Sequence, residues 1–212
     1  MKRILCFGDS NTWGAIPGST QRHPEEVRWT GILARELGEE FRVIEEGYNG
    51  RTTVFYDPVE DRLSGIDYFR PCLDTQSPLD LIILMLGTND LKPVFSVRGA
   101  AIAYGFNSYL NALATVPMAG TRPKVLLVSP IHVHPDYAKG ALFADVFGPD
   151  AVERSRELAP AYAQFAEEHG LAYLDAAAFA EASPVDGVHM DAENHAKLAA
   201  GMLAKVREIF AG

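Results

Sequence analysis

The chain has 212 residues, of which 48% are hydrophobic and 22% are charged, which is typical of a globular domain and excludes a disordered or collagen-like chain. Its 19 basic and 28 acidic residues give a formal net charge of −9, with no run of Lys or Arg. A phosphate backbone is therefore not an expected partner. The apolar runs Ile4–Phe7 and Leu81–Leu86 are too short for a signal peptide and a membrane span, respectively. We expect one cytoplasmic domain over residues 1–212, with no nucleic-acid or membrane partner.

Short apolar runs that alternate with helix-like segments predict a parallel sheet with right-handed crossovers. The five predicted strands are Ile4–Phe7, Phe41–Ile44, Leu79–Leu86, Val125–Val128 and Leu171–Leu174. The run Leu79–Leu86 is almost continuously apolar, as a strand in the middle of the sheet requires. We therefore expect a three-layer α/β fold whose functional site lies beyond the carboxyl ends of the strands.

Helical spacing of apolar residues predicts a helix over Trp29–Leu37 that stops at Gly38, and another that contains Leu158, Tyr162 and Phe165. A final helix carries Leu198, Met202, Val206 and Ile209, with Asp191 as its N-cap. Two longer, less regular segments, 47–78 and 130–149, each follow a predicted strand. Such segments either build a pocket or are surface excursions.

Residues 8–14, Gly-Asp-Ser-Asn-Thr-Trp-Gly, follow the first strand directly. A serine at this position, before a helix, can act both as a nucleophile and through its backbone N–H as an oxyanion donor. Ser10 can also be no more than the cap of the helix. The phosphate-binding and dinucleotide-binding glycine motifs and the G-x-S-x-G nucleophile elbow are absent from this sequence.

A catalytic serine needs a base, and the base needs a group that orients it. His189 lies just ahead of the final helix, three residues after Asp186. In a loop that contains glycine, the Asp186 carboxylate can fold back onto Nδ1 and leave Nε2 free to face Ser10. The spacing alone is common on polar loops, so its value depends on the other motifs.

Two further motifs follow strands and offer hydrogen-bond donors. Asn89, in Gly-Thr-Asn-Asp after the central strand, can donate its carboxamide N–H to an oxyanion, which is worth about 3–4 kcal/mol in the transition state, or can close an Asx-turn. After the second strand, Gly47 or Gly50 can let a backbone N–H approach a ligand closely, or can be a turn residue.

Taken together and in this order, the blocks at 8–10, 49–52, 87–90 and 186–189 resemble those of the SGNH (GDSL-type) hydrolase family. The resemblance implies a three-layer flavodoxin-like fold with five parallel strands and no metal or organic cofactor. It also implies a nucleophile at Ser10, a general base at His189 oriented by Asp186, and an oxyanion hole made by the Ser10 N–H, the Gly50 N–H and the Asn89 side chain.

Within that family, the continuation after Ser10 and the segments 27–30 and 45–47 are most similar to bacterial arylesterases and their acyl-transferring relatives. Asn11 departs from the family pattern, which has leucine there, so the local packing is expected to differ. We place Asp9, Trp13 and Lys92 among the substrate-binding candidates, although an exposed lysine is the alternative for Lys92. Aromatic residues of the long segments line the pocket or belong to the core, namely Phe55, Tyr56, Phe95, Phe143 and Phe147.

Other polar groups receive plainer interpretations. His132 and His134 with Asp136 have a spacing seen in metal sites, but a structural or solvent-facing role is favoured. His195 is expected to pair with Asp191 on the surface of the last helix. Cys6, inside an apolar strand, is expected to be a buried free thiol.

The sequence therefore predicts a serine esterase that acts on small-molecule esters through an acyl-serine, with water or another alcohol as the acceptor. A carbohydrate acetyl esterase is the main alternative among enzymes. A non-catalytic carbohydrate- or ester-binding module and a nucleotide- or phosphate-binding flavodoxin-like protein are the alternatives from other classes. Aromatic residues in the long loops leave a homo-oligomer open.

Overall fold

The computed structural model describes residues 1–136 and 143–212. Its sheet contains β1 (Lys2–Gly8), β2 (Phe41–Gly47), β3 (Leu81–Met85), β4 (Lys124–Ser129) and β5 (Ala172–Asp175). All strand pairs are parallel, and the order is β2-β1-β3-β4-β5. This is the flavodoxin-like order, so the predicted fold class and all five predicted strands are confirmed.

The middle position of β3 agrees with its sequence, because all five of its residues are buried between two helical layers. Gly8 pairs with Gly47 on one side and with Met85 on the other, so three strands end at the same level. After β2 the chain adds its later strands on the other side of β1, and this reversal of strand order opens a crevice between β1 and β3, where ligands bind in doubly wound folds.

The longer helices cover both faces of the sheet. The helices are α1 (Ser10–Trp13), α2 (Trp29–Leu37), α3 (Gly65–Gln76), α4 (Gly99–Thr115), α5 (Ala144–Phe147), α6 (Ala151–Arg156), α7 (Leu158–His169) and α8 (Ala192–Ala211). As predicted, α2 ends at Gly38, and the Asp191 side chain caps α8 by accepting a 2.9 Å hydrogen bond from the Asn194 N–H. None of the helices in the described ranges combines the length and apolar character of a membrane span.

Two apolar layers sandwich the sheet. On one face, α3, α4 and α7 contribute Phe69, Phe106 and Tyr162, which are all buried. On the other face, α2 and α8 contribute Leu33 and Met202, also buried. Cys6 is a buried free thiol in this second layer, as the sequence predicted.

The structure changes two expectations. The segment 47–78 is more regular than expected, because it holds α3, a helix with Pro71 in its interior. His195 is not on the surface: it is fully buried, its ring packs edge-on against His23 at 5.2 Å, and its Nδ1 accepts a hydrogen bond from the Trp29 N–H. Burial, reinforced by the neighbouring His23, lowers the pKa of His195 to about 3.

Candidate active site

The first turn after β1 presents Ser10 at the end of the sheet. Asp9, and not Ser10, is the N-cap of α1, because its Oδ1 accepts a 3.0 Å hydrogen bond from the Asn11 N–H. The interpretation of Ser10 as a simple helix cap is therefore wrong. Ser10 is the first residue of the helix and keeps 7% of its surface exposed. Its hydroxyl is thus free for another partner.

That partner is His189, which comes from the loop before α8. Ser10 Oγ lies 2.9 Å from His189 Nε2, and His189 Nδ1 lies 2.8 Å from Asp186 Oδ2. The carboxylate holds the imidazole with a proton on Nδ1 and a lone pair on Nε2, so the Ser10 O–H can donate to it. The sequence-predicted residues are therefore brought into one hydrogen-bonded chain that spans 179 positions.

The carboxylate of Asp186 is fixed from several sides. Its Oδ1 accepts from the backbone N–H groups of Val188 and His189, each at 3.0 Å, and its Oδ2 also accepts from the Gly18 N–H at 2.9 Å. Burial alone raises the pKa of Asp186, but the hydrogen bond and charge of His189 and the backbone N–H groups of His189 and Val188 outweigh burial and lower it to about 2. Asp186 is consequently ionised at any working pH.

Asn11 joins the two loops that carry the serine and the histidine. Its Nδ2 donates to the Val188 carbonyl at 3.1 Å, and its Oδ1 accepts from the Met190 N–H at 3.0 Å. The side chain thus bonds to the backbone on both sides of His189. The sequence analysis noted Asn11 only as a departure from the family pattern, and no local signal indicated a clamp between positions 179 residues apart.

Three hydrogen-bond donors lie at the cavity wall, one of them the backbone N–H of Ser10 itself. In the part of the chain that the structure describes, the backbone N–H groups of Ser10 and Gly50 have no hydrogen-bond acceptor. The Asn89 carboxamide uses one N–H to reach the Arg51 carbonyl at 3.0 Å, which leaves the other available. Ser10, Gly50 and Asn89 all line the same cavity. The arrangement supplies donors for a negatively charged oxygen.

Gly47, at the end of β2, and Gly50, which follows it, have different structural roles. A Cβ on Gly47 would lie 2.1 Å from the backbone nitrogen of Trp13, so Gly47 allows α1 to cross the end of β2. Gly50 has φ +75°, in the left-handed region that favours glycine, and it reaches the cavity. Of the two candidates, the structure places Gly50 at the site.

The cavity has a volume of about 250 Å³ and two unlike halves. Trp13, Phe143 and Phe147 supply an apolar half, and the Phe143 ring packs edge-on to the His189 imidazole at 5.6 Å. The polar half carries Asn49, Glu60, Arg62, Asn89 and Lys92. A site with both halves can hold an ester that has one apolar and one polar side.

Several expected pocket residues lie elsewhere. Asp9 is buried under the turn and is not part of the cavity wall. Phe55 and Phe95 pack against each other with ring centroids 5.7 Å apart, and the exposed Tyr56 hydroxyl donates to Asp61. Their positions depend on tertiary packing that their place in a long segment did not reveal.

Lys92 does line the cavity, but it is not exposed, contrary to the alternative for this residue. Only 4% of its surface is accessible, and its Nζ lies 2.7 Å from Asp57 Oδ2 and 2.6 Å from Glu60 Oε1. A buried ammonium requires such partners, because an unpaired charge in the interior is very costly. Both carboxylates come from the segment 47–78, which sequence reasoning treated as irregular.

Two of the three residues with metal-like spacing, His134 and Asp136, bond to each other. His134 Nδ1 accepts a 3.1 Å hydrogen bond from the Asp136 backbone N–H. Over residues 1–136 and 143–212, no group of three metal-ligating side chains comes together.

A flavodoxin-like sheet with a hydrogen-bonded Ser–His–Asp chain at its carboxyl edge is the arrangement of a serine hydrolase. The profile of the GDSL-like lipase/acylhydrolase family matches residues 6–197. The chain belongs to this family, and its expected class, a carboxylic ester hydrolase of the SGNH type, is confirmed.

Two solved structures show how far the similarity extends. An aryl esterase from M. smegmatis is 39% identical, with a TM-score of 0.91, over 98% of this chain and 99% of that one. A carbohydrate acetylesterase from Sinorhizobium meliloti is 36% identical, with a TM-score of 0.90, over 99% of this chain and 100% of that one. No curated protein sequence matches the chain.

Proposed function

We propose that the chain hydrolyses short-chain acyl esters, aryl or alkyl, through an acyl-enzyme on Ser10. The observation that carries the proposal is the unbroken hydrogen-bond chain from Ser10 Oγ through His189 to Asp186, beside backbone N–H groups for which the described ranges offer no acceptor. A small cavity with an apolar half suits a short acyl or aryl group. The similarity to the M. smegmatis aryl esterase supports the same substrate class.

In the first half-reaction, Ser10 Oγ attacks the ester carbonyl carbon while its proton passes to His189 Nε2. The carbonyl oxygen becomes an oxyanion that the Ser10 N–H, the Gly50 N–H and Asn89 Nδ2 stabilise. His189 then returns the proton to the departing alkoxide as the C–O bond breaks, which leaves an acyl-serine. Asp186 stabilises the transient imidazolium without taking its proton.

In the second half-reaction, water attacks the acyl-serine, His189 takes a proton from it, and the carboxylic acid leaves as Ser10 regains its hydrogen. An alcohol in place of water gives a new ester, so acyl transfer is available at the same site. The ratio of acyl transfer to hydrolysis depends on how well the cavity excludes water.

A second candidate, a carbohydrate acetyl esterase, is favoured by the polar half of the cavity, where Asn49, Glu60 and Arg62 can bond hydroxyl groups. The similarity to the Sinorhizobium meliloti carbohydrate acetylesterase points the same way. Higher kcat/KM on acetylated oligosaccharides than on aryl acetates would select this candidate.

The test is hydrolysis of p-nitrophenyl esters from acetyl to octanoyl by the wild type and by Ser10→Ala, in EDTA. We expect Ser10-dependent turnover that peaks at short chains. Turnover of Ser10→Ala equal to that of the wild type would overturn the proposal.

A further inference from the structure

The peptide group between Asn49 and Gly50 carries both a candidate oxyanion donor and a hydrogen bond to an arginine. Arg62 Nη1 donates to the Asn49 carbonyl oxygen at 2.8 Å. That oxygen and the Gly50 N–H belong to one planar trans peptide and point in opposite directions. Fixing the oxygen therefore fixes the direction of the N–H.

We propose that Arg62 is a positioning residue for the reaction: it holds the Asn49–Gly50 peptide so that the Gly50 N–H is aimed at the oxyanion. The inference rests on the proposed function, because it needs Gly50 to act as a donor. A charged donor on the carbonyl also polarises the peptide, which makes its N–H a stronger donor. Arg62 acts through Gly50 and needs no contact with the reacting atoms.

The guanidinium is itself held by a chain of ion pairs. Arg62 Nε donates to Glu60 Oε2 at 2.8 Å, and Glu60 Oε1 lies 2.6 Å from Lys92 Nζ. The same ammonium lies 2.7 Å from Asp57, and Lys92 and Asp57 are both buried. This chain connects Arg62 to the segment that follows β3, since Lys92 comes directly after the turn Asn89–Leu91.

Backbone hydrogen bonds also hold the segment that carries Arg62. Asp57 and Arg62 exchange two backbone hydrogen bonds of 2.9 and 3.0 Å, so the segment between them forms a small strap. A Cβ on Gly50 would lie 2.9 Å from both Arg62 Cδ and Glu60 Oε2. Gly50 therefore packs directly on the ion pair and has little room to rotate while the pair is intact.

The first test is Arg62→Ala in the full chain, with steady-state kinetics on a p-nitrophenyl ester. Without the guanidinium, the peptide can rotate, and we expect kcat to fall about tenfold while KM stays within about twofold. Arg62→Lys should recover part of the loss, because an ammonium keeps the charge but lacks the planar fork that joins Glu60 to Asn49.

The matched control is Arg3→Ala. Arg3 is also half-buried, and its guanidinium donates to the backbone carbonyls of Pro78 and Gln76 at 2.8 and 3.0 Å, at the opposite end of the sheet. We expect Arg3→Ala to lower the melting temperature while kcat stays within twofold. A loss of kcat in Arg3→Ala as large as that in Arg62→Ala would reduce the role of Arg62 to stability and overturn the proposal.

A transition-state analogue gives a second readout. A trifluoromethyl ketone forms a hemiketal oxyanion on the serine, so its inhibition constant should rise in Arg62→Ala by about the factor by which kcat/KM falls. Glu60→Gln loosens the arginine without removing it and should produce a smaller change in the same direction. It also serves as the test variant if Arg62→Ala does not fold. In the Arg62→Ala background, Glu60→Gln should add nothing, since it acts through Arg62.

If Ser10→Ala is inactive but the folded Arg62→Ala variant keeps wild-type kcat and wild-type inhibition, the role of Arg62 is overturned and the proposed function stays intact. Where Arg62→Ala does not fold, the same result in Glu60→Gln leads to the same conclusion. Full activity of Ser10→Ala would instead overturn the proposed function. The two failures are therefore distinguishable.

Discussion

The side chain of Asn89 has two N–H bonds, and the fold uses one of them to fix its direction. Nδ2 donates to the Arg51 carbonyl at 3.0 Å, so the amide is held by the segment that also carries Gly50. The second N–H is then presented at the cavity without a further ordering cost. A residue held in this way binds developing charge better than a mobile one.

Replacing Asn89 by Ala should lower kcat by about 10²–10³ while KM changes little, because the lost hydrogen bond is strongest in the transition state. Steady-state kinetics on one ester measures both constants. Asn111→Ala, on the exposed side of α4, is the matched control and should keep wild-type kcat. A rise in KM alone would contradict the oxyanion role of Asn89.

At the scale of elements, the β1–α1 turn contains a carboxylate in an unfavourable place. Asp9 is 1% exposed, so its carboxylate is almost completely shielded from water. Burial raises the pKa of Asp9 to about 6, although the Asn11 N–H, the Thr88 hydroxyl and the charges of His189 and Arg51 act in the opposite direction. The native state therefore binds a proton here more tightly than the unfolded chain.

A raised folded pKa gives stability that is complete below the unfolded value of about 3.9 and is lost as the pH rises through about 6. Asp9→Asn keeps the capping oxygen but has no charge to bury. We expect Asp9→Asn to exceed the wild type in unfolding free energy by about 3 kcal/mol at pH 8 and to be close to it near pH 4. Urea denaturation at both pH values measures this, and an equal difference at both would contradict the assignment.

Local motifs made much of the site predictable. Ser10, Asn89 and the pair Asp186 and His189 each lie in a short block at the end of a strand or before a helix. In a parallel sheet these strand ends meet at one edge, so their convergence follows from topology. The fold was predictable for a similar reason, since each strand is a local apolar run.

The remaining features depend on contacts between distant segments. The burial of Lys92 requires Asp57 and Glu60, which lie 35 and 32 positions away. Helix α3 was hard to predict from the sequence because it contains Pro71, and proline is rare inside helices. The spacing of His195 from Asp191, four residues earlier, suggested a surface pair, whereas packing of α8 on α2 buries His195.

For the whole molecule, one sheet carries both apolar layers, and we predict a single domain that unfolds in one step. Leu33 lies in one layer and Leu73 in the other, and both are fully buried. Leu33→Ala and Leu73→Ala should each lower the unfolding free energy by about 2–5 kcal/mol. Both should shift one common transition in circular dichroism and fluorescence. Two separate transitions, with each variant affecting only one, would contradict a single domain.

Cytoplasmic location and homo-oligomer formation stay predictions. The exposed aromatic residues on which an interface can form include Tyr48 and Tyr56, about half of whose surface is accessible. Light scattering coupled to gel filtration measures the mass directly.

The central claim is that Ser10 is the nucleophile, and active-site labelling tests it most directly. A fluorophosphonate should modify the wild type at one site per chain, abolish esterase activity in proportion, and place its mass on the tryptic peptide that contains Ser10. Ser10→Ala should remain unlabelled under the same conditions while it melts like the wild type. Stoichiometric labelling of another residue in Ser10→Ala, with activity lost in parallel, would contradict the account.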